Sequence, residues 1–213
     1  MAFPGIDLTV SSWAASASGT FPLSREPALR MLRDFNRMLP ALILPCVAAI
    51  LFLQTVWPRP WLLRPHKAIF LLAFYTLGPG FLIQALKLLV GRARPYEIVE
   101  FGGQLSFTPT WQVSDACARS CSFASGESAS AIALLALALL VPVRWRKIAI
   151  AVLVPAVLVF SFNRIAFGAH FLSDVVLAWC LMLWVMQWLW QVFHENGEHI
   201  DAAFRRMACR LKS

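Results

Sequence analysis

Three short stretches place ionisable side chains where apolar sequence begins or ends. In KLLVGRARP, Lys87 and Arg94 are seven residues apart, two helical turns, so both face one side near the end of an apolar run. Pro95 disfavours helix at Arg94 and turns the chain outward. Two cations held there suit the oxygens of a phosphoryl group, and a guanidinium binds two oxygens at once. The same pair would also suit long side chains reaching for lipid headgroups. Ser125, Gly126 and Glu127 open another apolar run: Ser125 reads as an N-cap, followed by free backbone N–H groups that form a ready anion site. Plain capping, with Gly126 supplying the turn, explains that stretch equally well. In NRIAFGAHFLSD, Arg164 is followed by His170 and Asp174, whose spacing of four puts them on one helix face. A carboxylate there can accept the Nδ1 proton and leave Nε2 as nucleophile or base.

The elements that must position these residues are membrane helices. The chain has 213 residues, of which 59% are hydrophobic and only 14% charged, with a mean hydropathy of +0.66. Charged residues make up about 25% of an ordinary soluble domain. A spanning helix needs about 20 mostly apolar residues, and five stretches qualify: 39–57, 68–90, 128–143, 148–162 and 171–193. The sequence therefore predicts an all-α polytopic membrane bundle with about five transmembrane helices, preceded by an N-terminal interfacial segment (1–38) and followed by a basic cytoplasmic tail (194–213). Charged residues inside a membrane are costly and mark function.

Basic loops fix the expected orientation. WPRPWLLRPHK, RWRK and the tail belong on the cytoplasmic side, which puts the loop 91–125, the turn 163–170 and every residue named above on the outer face. The loop 96–122, with Glu97, Glu100, Asp115 and Arg119, is expected to cover the site. Arg25, Arg30, Arg33 and Arg37 run against the charge rule, and an amphipathic interfacial helix over 26–38 accommodates them. A further apolar run upstream of Met1 would ease carrying that segment outward. The formal charge of +8 raises nucleic acid as a partner, but the cations sit in short loops between apolar runs, so none is expected. Cys46, Cys180 and Cys209 read as isolated thiols, whereas Cys117 and Cys121 fit either a disulfide in an oxidising compartment or two free thiols.

Together the three stretches resemble the signature of the type-2 phosphatidic acid phosphatase superfamily: Lys, six residues, Arg-Pro; then Pro-Ser-Gly-His; then Ser-Arg, five residues, His, three residues, Asp. Lys87, Arg94 and Pro95 match the first part, and Arg164, His170 and Asp174 match the third in spacing. Ala124 stands for Pro, Asn163 for Ser, and Glu127 for the second His. The resemblance covers roughly residues 68–193.

It implies a membrane enzyme that needs no metal or other cofactor and takes a phosphorylated membrane lipid as its partner. His170 would attack phosphorus, Asp174 would orient its ring, and Lys87, Arg94, Ser125, Gly126 and Arg164 would hold the phosphoryl oxygens. Glu127 would protonate the leaving group. Glutamate titrates about two units below histidine, so this role predicts a mildly acidic optimum, or a diphosphate leaving group that needs little protonation. Polyprenyl diphosphate, phosphatidylglycerophosphate, phosphatidic acid and lipid A phosphates are the candidates, in a bacterial inner membrane with the site facing the periplasm. A lipid phosphotransferase and a non-catalytic lipid-phosphate binder or transporter are the rival readings. The oligomeric state is left open.

Overall fold

The computed structural model describes residues 5–59, 61–110, 112–117 and 121–210; Arg119 of the covering loop lies outside them. Among the described residues the chain is helical, with α1 (Gly5–Ala14), α2 (Pro27–Val56), α3 (Pro65–Tyr75), α4 (Ile83–Val90), α5 (Gly126–Ala133), α6 (Ala136–Leu140), α7 (Val143–Ala166), α8 (Leu172–Glu195) and α9 (Gly197–Arg210). A π-helical stretch, Thr76–Leu82, joins α3 to α4 around Gly78, Pro79 and Gly80. Pro79 has no N–H to donate, so the register widens there and the two segments continue as one span.

Four helical segments among the described residues are long and apolar enough to cross a membrane: Pro27–Val56, Pro65–Glu97, Val143–Ala166 and Leu172–Glu195. The shorter apolar stretch Gly126–Leu140 supplies the fifth layer. It packs against α7, α8 and α2. Ala129, Ala131, Ala133, Ala136 and Ala138 are buried along it, and such small side chains let neighbouring backbones approach closely. The core around it is filled by Phe70, Phe74, Ile83, Phe160 and Met182. A smaller outer cluster of Phe21, Ala93, Ile98, Phe101 and Phe171 seats the N-terminal segment and the 91–125 loop over the bundle.

Two expected boundaries fall elsewhere. The segment 26–38 is not a separate interfacial helix, because α2 runs unbroken from Pro27 to Val56 over 30 residues. Its length is about 45 Å at 1.5 Å per residue, against an apolar core of about 30 Å, so the turns bearing Arg30, Arg33 and Arg37 have room to project beyond the bilayer interior. Pro27 occupies the first turn, where a missing N–H costs nothing.

The tail also folds. α9 packs against α2 and α3, and Asp201 accepts hydrogen bonds from the His66 N–H at 3.0 Å and from His66 Nδ1, also at 3.0 Å. At this same end Arg146 donates to the Leu139 carbonyl and Arg64 pairs with Glu198. The three basic stretches therefore gather together, opposite the loops that carry the candidate site. Cys117 and Cys121 are joined by a disulfide.

Both His66 and Asp201 are buried, so Asp201→Ala would leave a donor pair without an acceptor, at a cost of roughly 1–3 kcal/mol. Thermal unfolding in detergent is expected to show a lower Tm for this variant, and an unchanged Tm would mean that α9 does not anchor the bundle.

Candidate active site

The site is built from the ends of α4, α5, α7 and α8 and the first half of α2, and is closed by the described part of the 91–125 loop. At its base lies Arg92, fully buried, a residue the sequence reading passed over. Its Nε donates to the Thr108 carbonyl at 2.8 Å, Nη1 to Asp174 Oδ1 at 2.7 Å and to Ser173 Oγ at 2.8 Å, and Nη2 to Asp7 Oδ2 at 2.8 Å. Its guanidinium carbon also lies 4.2 Å from the centre of the Phe171 ring. Asp7, from α1, further accepts from the Ser173 N–H at 2.9 Å.

Asp174 belongs to this network more than to His170. One Oδ2 accepts from the Phe171 N–H at 2.9 Å and from Ser122 Oγ at 2.5 Å. His170 Nδ1 is 3.9 Å from that oxygen and only 2.7 Å from the Ser122 carbonyl. The expectation that Asp174 takes the Nδ1 proton is therefore corrected: the partner is the Ser122 backbone. The physical reason is that α8 begins at Leu172, so His170 precedes the helix and lacks the one-face register that a spacing of four implies. Asp174 instead caps its own helix and pairs with Arg92.

The result for the imidazole is nonetheless the expected one. A carbonyl only accepts, so Nδ1 carries the hydrogen and Nε2 presents its lone pair. Nε2 is buried with no hydrogen-bond partner and lies 3.4 Å from Glu127 Oε2. Burial pushes the His170 imidazole below its usual range, opposed by the Glu127 and Asp174 carboxylates.

Glu127 is the hub of the cationic side. Arg37 donates to its Oε1 at 2.5 Å from Nη2 and 3.1 Å from Nε, and Arg164 Nε lies 3.5 Å from Oε2. Arg164 is 4% exposed, and its Nε and Nη1 have no hydrogen-bond partner. Buried cationic donors left open are costly unless an anion fills them. Asn36 donates to the Glu127 carbonyl at 3.0 Å and Asn163 to the Leu29 carbonyl at 2.9 Å, which ties α2 to α5 and α7.

Lys87, Arg94, Gly126 and Glu127 line one cavity of about 360 Å³ with Asn36, Arg37 and Gln84. A Cβ built on Gly126 would come to 3.6 Å from Lys87 Nζ, so the glycine keeps this wall close to the ammonium. Ser125 is the N-cap of α5 as expected; its buried hydroxyl accepts from the Ser128 N–H and donates to Ser128 Oγ, and it is not among the cavity's lining residues. Of the residues read from sequence, Glu127 thus brings His170 and Arg164 together beside the cavity that holds Lys87, Arg94 and Gly126. Asp174 stands behind His170. Arg37 and Ser122 were missed as site residues; the run Arg30, Arg33, Arg37 at helical spacing was the available signal for the first, and no sequence signal marked the second.

Comparison with known proteins identifies the family of the chain. The family pattern described as PAP2 superfamily matches residues 68–198. The chain is 35% identical over 189 residues to a lipid A 4'-phosphatase of Rhizobium leguminosarum, covering 83% of this chain and 77% of that protein. It is 28% identical over 178 residues to a lipid A 4'-phosphatase of Francisella tularensis subsp. novicida (strain U112), covering 82% and 80%. No solved structure matches it significantly. The fold and site are those of an integral membrane phosphatase. The chain belongs to the PAP2 superfamily.

Burial of His170 fixes the direction of its titration. The ring's midpoint, followed by NMR of histidine-labelled protein in detergent, is expected below the ordinary value of 6.5. Glu127→Gln removes a carboxylate that favours the protonated ring and is expected to move the midpoint further down. An upward move would mean that Glu127 does not act on the imidazole.

Proposed function

We propose that this protein removes a phosphate from the headgroup of a membrane lipid, with lipid A the favoured substrate, through a phosphohistidine formed on His170 at the periplasmic face of a bacterial inner membrane. The observation that carries the reading is the buried, unpartnered Nε2 of His170 facing the open donors of Arg164 across the Glu127 carboxylate. The names of the relatives favour lipid A among the lipid phosphates. The disulfide between Cys117 and Cys121 suits the oxidising outer side.

In the first step Nε2 attacks phosphorus in line, the P–N bond forms, and the bond to the lipid oxygen breaks with its electron pair on that oxygen. Arg164, Arg94 and Lys87 hold the equatorial oxygens, with the Gly126 wall admitting them close to the ammonium. The Ser122 carbonyl stabilises the charge that develops at Nδ1–H, and Asp174 holds Ser122 by its hydroxyl. In the resting site Glu127 occupies the place beside these guanidinium groups. An arriving phosphoryl monoanion competes for Arg164 and Arg37 and frees the carboxylate, which takes the proton of the phosphate P–OH and passes it to the leaving oxygen as the bond to the lipid breaks. In the second step Glu127 takes a proton from water, whose oxygen attacks phosphorus and releases His170 and inorganic phosphate.

His170→Ala is expected to reduce phosphate release from lipid A in detergent micelles by at least about 1,000-fold, and to abolish acid-labile phosphoprotein in quenched reactions. Glu127→Gln is expected to slow the first-step burst of leaving group from a lipid substrate by roughly 100-fold or more, yet the burst from an aryl phosphate, whose leaving group needs no proton, much less. Equal slowing of both substrates would remove Glu127 from the acid role. Labelled phosphate recovered in a second lipid instead of in solution would mean transfer and not hydrolysis.

A further inference from the structure

Part of the basic surface has no task in the reaction just described. Beside the phosphoryl cavity, and sharing Arg37 and Arg94 with it, is a second cavity of about 490 Å³. Five arginines line it, Arg30, Arg33, Arg37, Arg94 and Arg164, and among its described lining residues there is no Asp or Glu. Arg37 and Arg94 also line the phosphoryl cavity and Arg164 meets Glu127, whereas Arg30 and Arg33 line only the second cavity of the two. Arg30 and Arg33 lie further toward the start of α2, about 10 Å and about 6 Å from Arg37 along the helix axis. Their spacing puts all three on one face. Arg30 Nε donates to the Ser24 carbonyl at 2.8 Å across the cavity, which holds that guanidinium in place without neutralising it. Among the described residues Arg33 pairs with Asp34, a half-exposed neighbour that does not line the cavity.

Glu127 offsets Arg37 and Arg164 from the neighbouring cavity and Asp34 offsets Arg33, yet the lining keeps an excess of positive charge, which suits an anion. We propose that this cavity binds a second phosphate of the substrate headgroup, one separated from the cleaved phosphate by a spacer of several ångströms, as on a glycolipid that bears phosphates at two places. The two phosphates of a diphosphate share a bridging oxygen and do not reach from the phosphoryl cavity to Arg30. The inference rests on the phosphatase reading of the neighbouring site and selects the substrate class for it: doubly phosphorylated lipids over singly phosphorylated ones and over diphosphates.

The test uses two synthetic glycolipids that differ only in the second phosphate. Their binding to full-length His170→Ala protein in micelles is measured beside turnover by the parent. Binding is expected to be roughly ten- to a hundredfold tighter for the doubly phosphorylated lipid. Arg30→Gln combined with Arg33→Gln is expected to erase that preference, with the singly phosphorylated lipid changed by less than about twofold. Arg30→Lys with Arg33→Lys keeps both charges and is expected to keep most of the preference. Equal binding of the two lipids by the His170→Ala protein, equal loss for both lipids in the Gln variant, or loss in the Lys variant as complete as in the Gln variant would overturn the assignment. A binding preference without phosphate release by the parent would leave the subsite standing and defeat the phosphatase reading. Release without any preference would do the reverse.

Discussion

A single buried guanidinium organises the site-bearing half of this protein. Arg92 has no exposure and faces two carboxylates, Asp7 from α1 and Asp174 from α8, with the Thr108 carbonyl and the Ser173 hydroxyl completing its contacts. Burying three charges is tolerable only when each is paired and its remaining donors or acceptors are filled, and breaking such a group strands a charge in a low-dielectric interior. The network therefore locks the N-terminal helix, the loop after α4 and the start of α8 into one geometry. Ser122 is held to Asp174 by its side chain, and His170 is held to Ser122 by its ring. The His170 imidazole is thus positioned two links away from the Asp174 carboxylate.

On the other side of His170 the problem is the opposite one, an excess of positive charge. Lys87, Arg94, Arg164 and Arg37 converge from α4, the following loop, α7 and α2, and Glu127 is the carboxylate set among them. It lowers their mutual repulsion in the free protein, and a phosphoryl dianion is chemically suited to take its place. A histidine at this position would add to the repulsion when protonated. Arg37 gives the present chain a partner for the acid it carries, from a helix outside the matched family region of 68–198.

Much of the plan was legible in the sequence. The apolar runs located the spans because an apolar bilayer admits little else, and the Lys87/Arg94 and Arg164/His170 spacings marked the candidate site because charges at span ends are rare and specific. Three features were not legible. Nothing local told α2 to continue through residues 26–38, since an interfacial helix and an extended span share one periodicity. The basic tail carried no local sign that it packs on the bundle, since the partner of Asp201 is His66, 135 residues away. Arg92, two residues from Arg94 in the same motif, looked like one more loop cation, although its partners are Asp7 and Asp174, 85 and 82 residues away.

What the sequence by itself determined was the class and the inventory: an all-helical membrane protein of this family, with charged side chains set at the ends of its apolar runs. Those follow from hydrophobic period, charge and covalent spacing, which are local properties. Only the tertiary structure decided the partners, namely that Ser122 and not Asp174 receives the His170 proton, that Arg37 clasps Glu127, and that Arg30 and Arg33 open onto a shared cavity. Hydrogen bonds and ion pairs are fixed by distances of a few ångströms between elements far apart in the chain, and those distances exist only once the helices have packed.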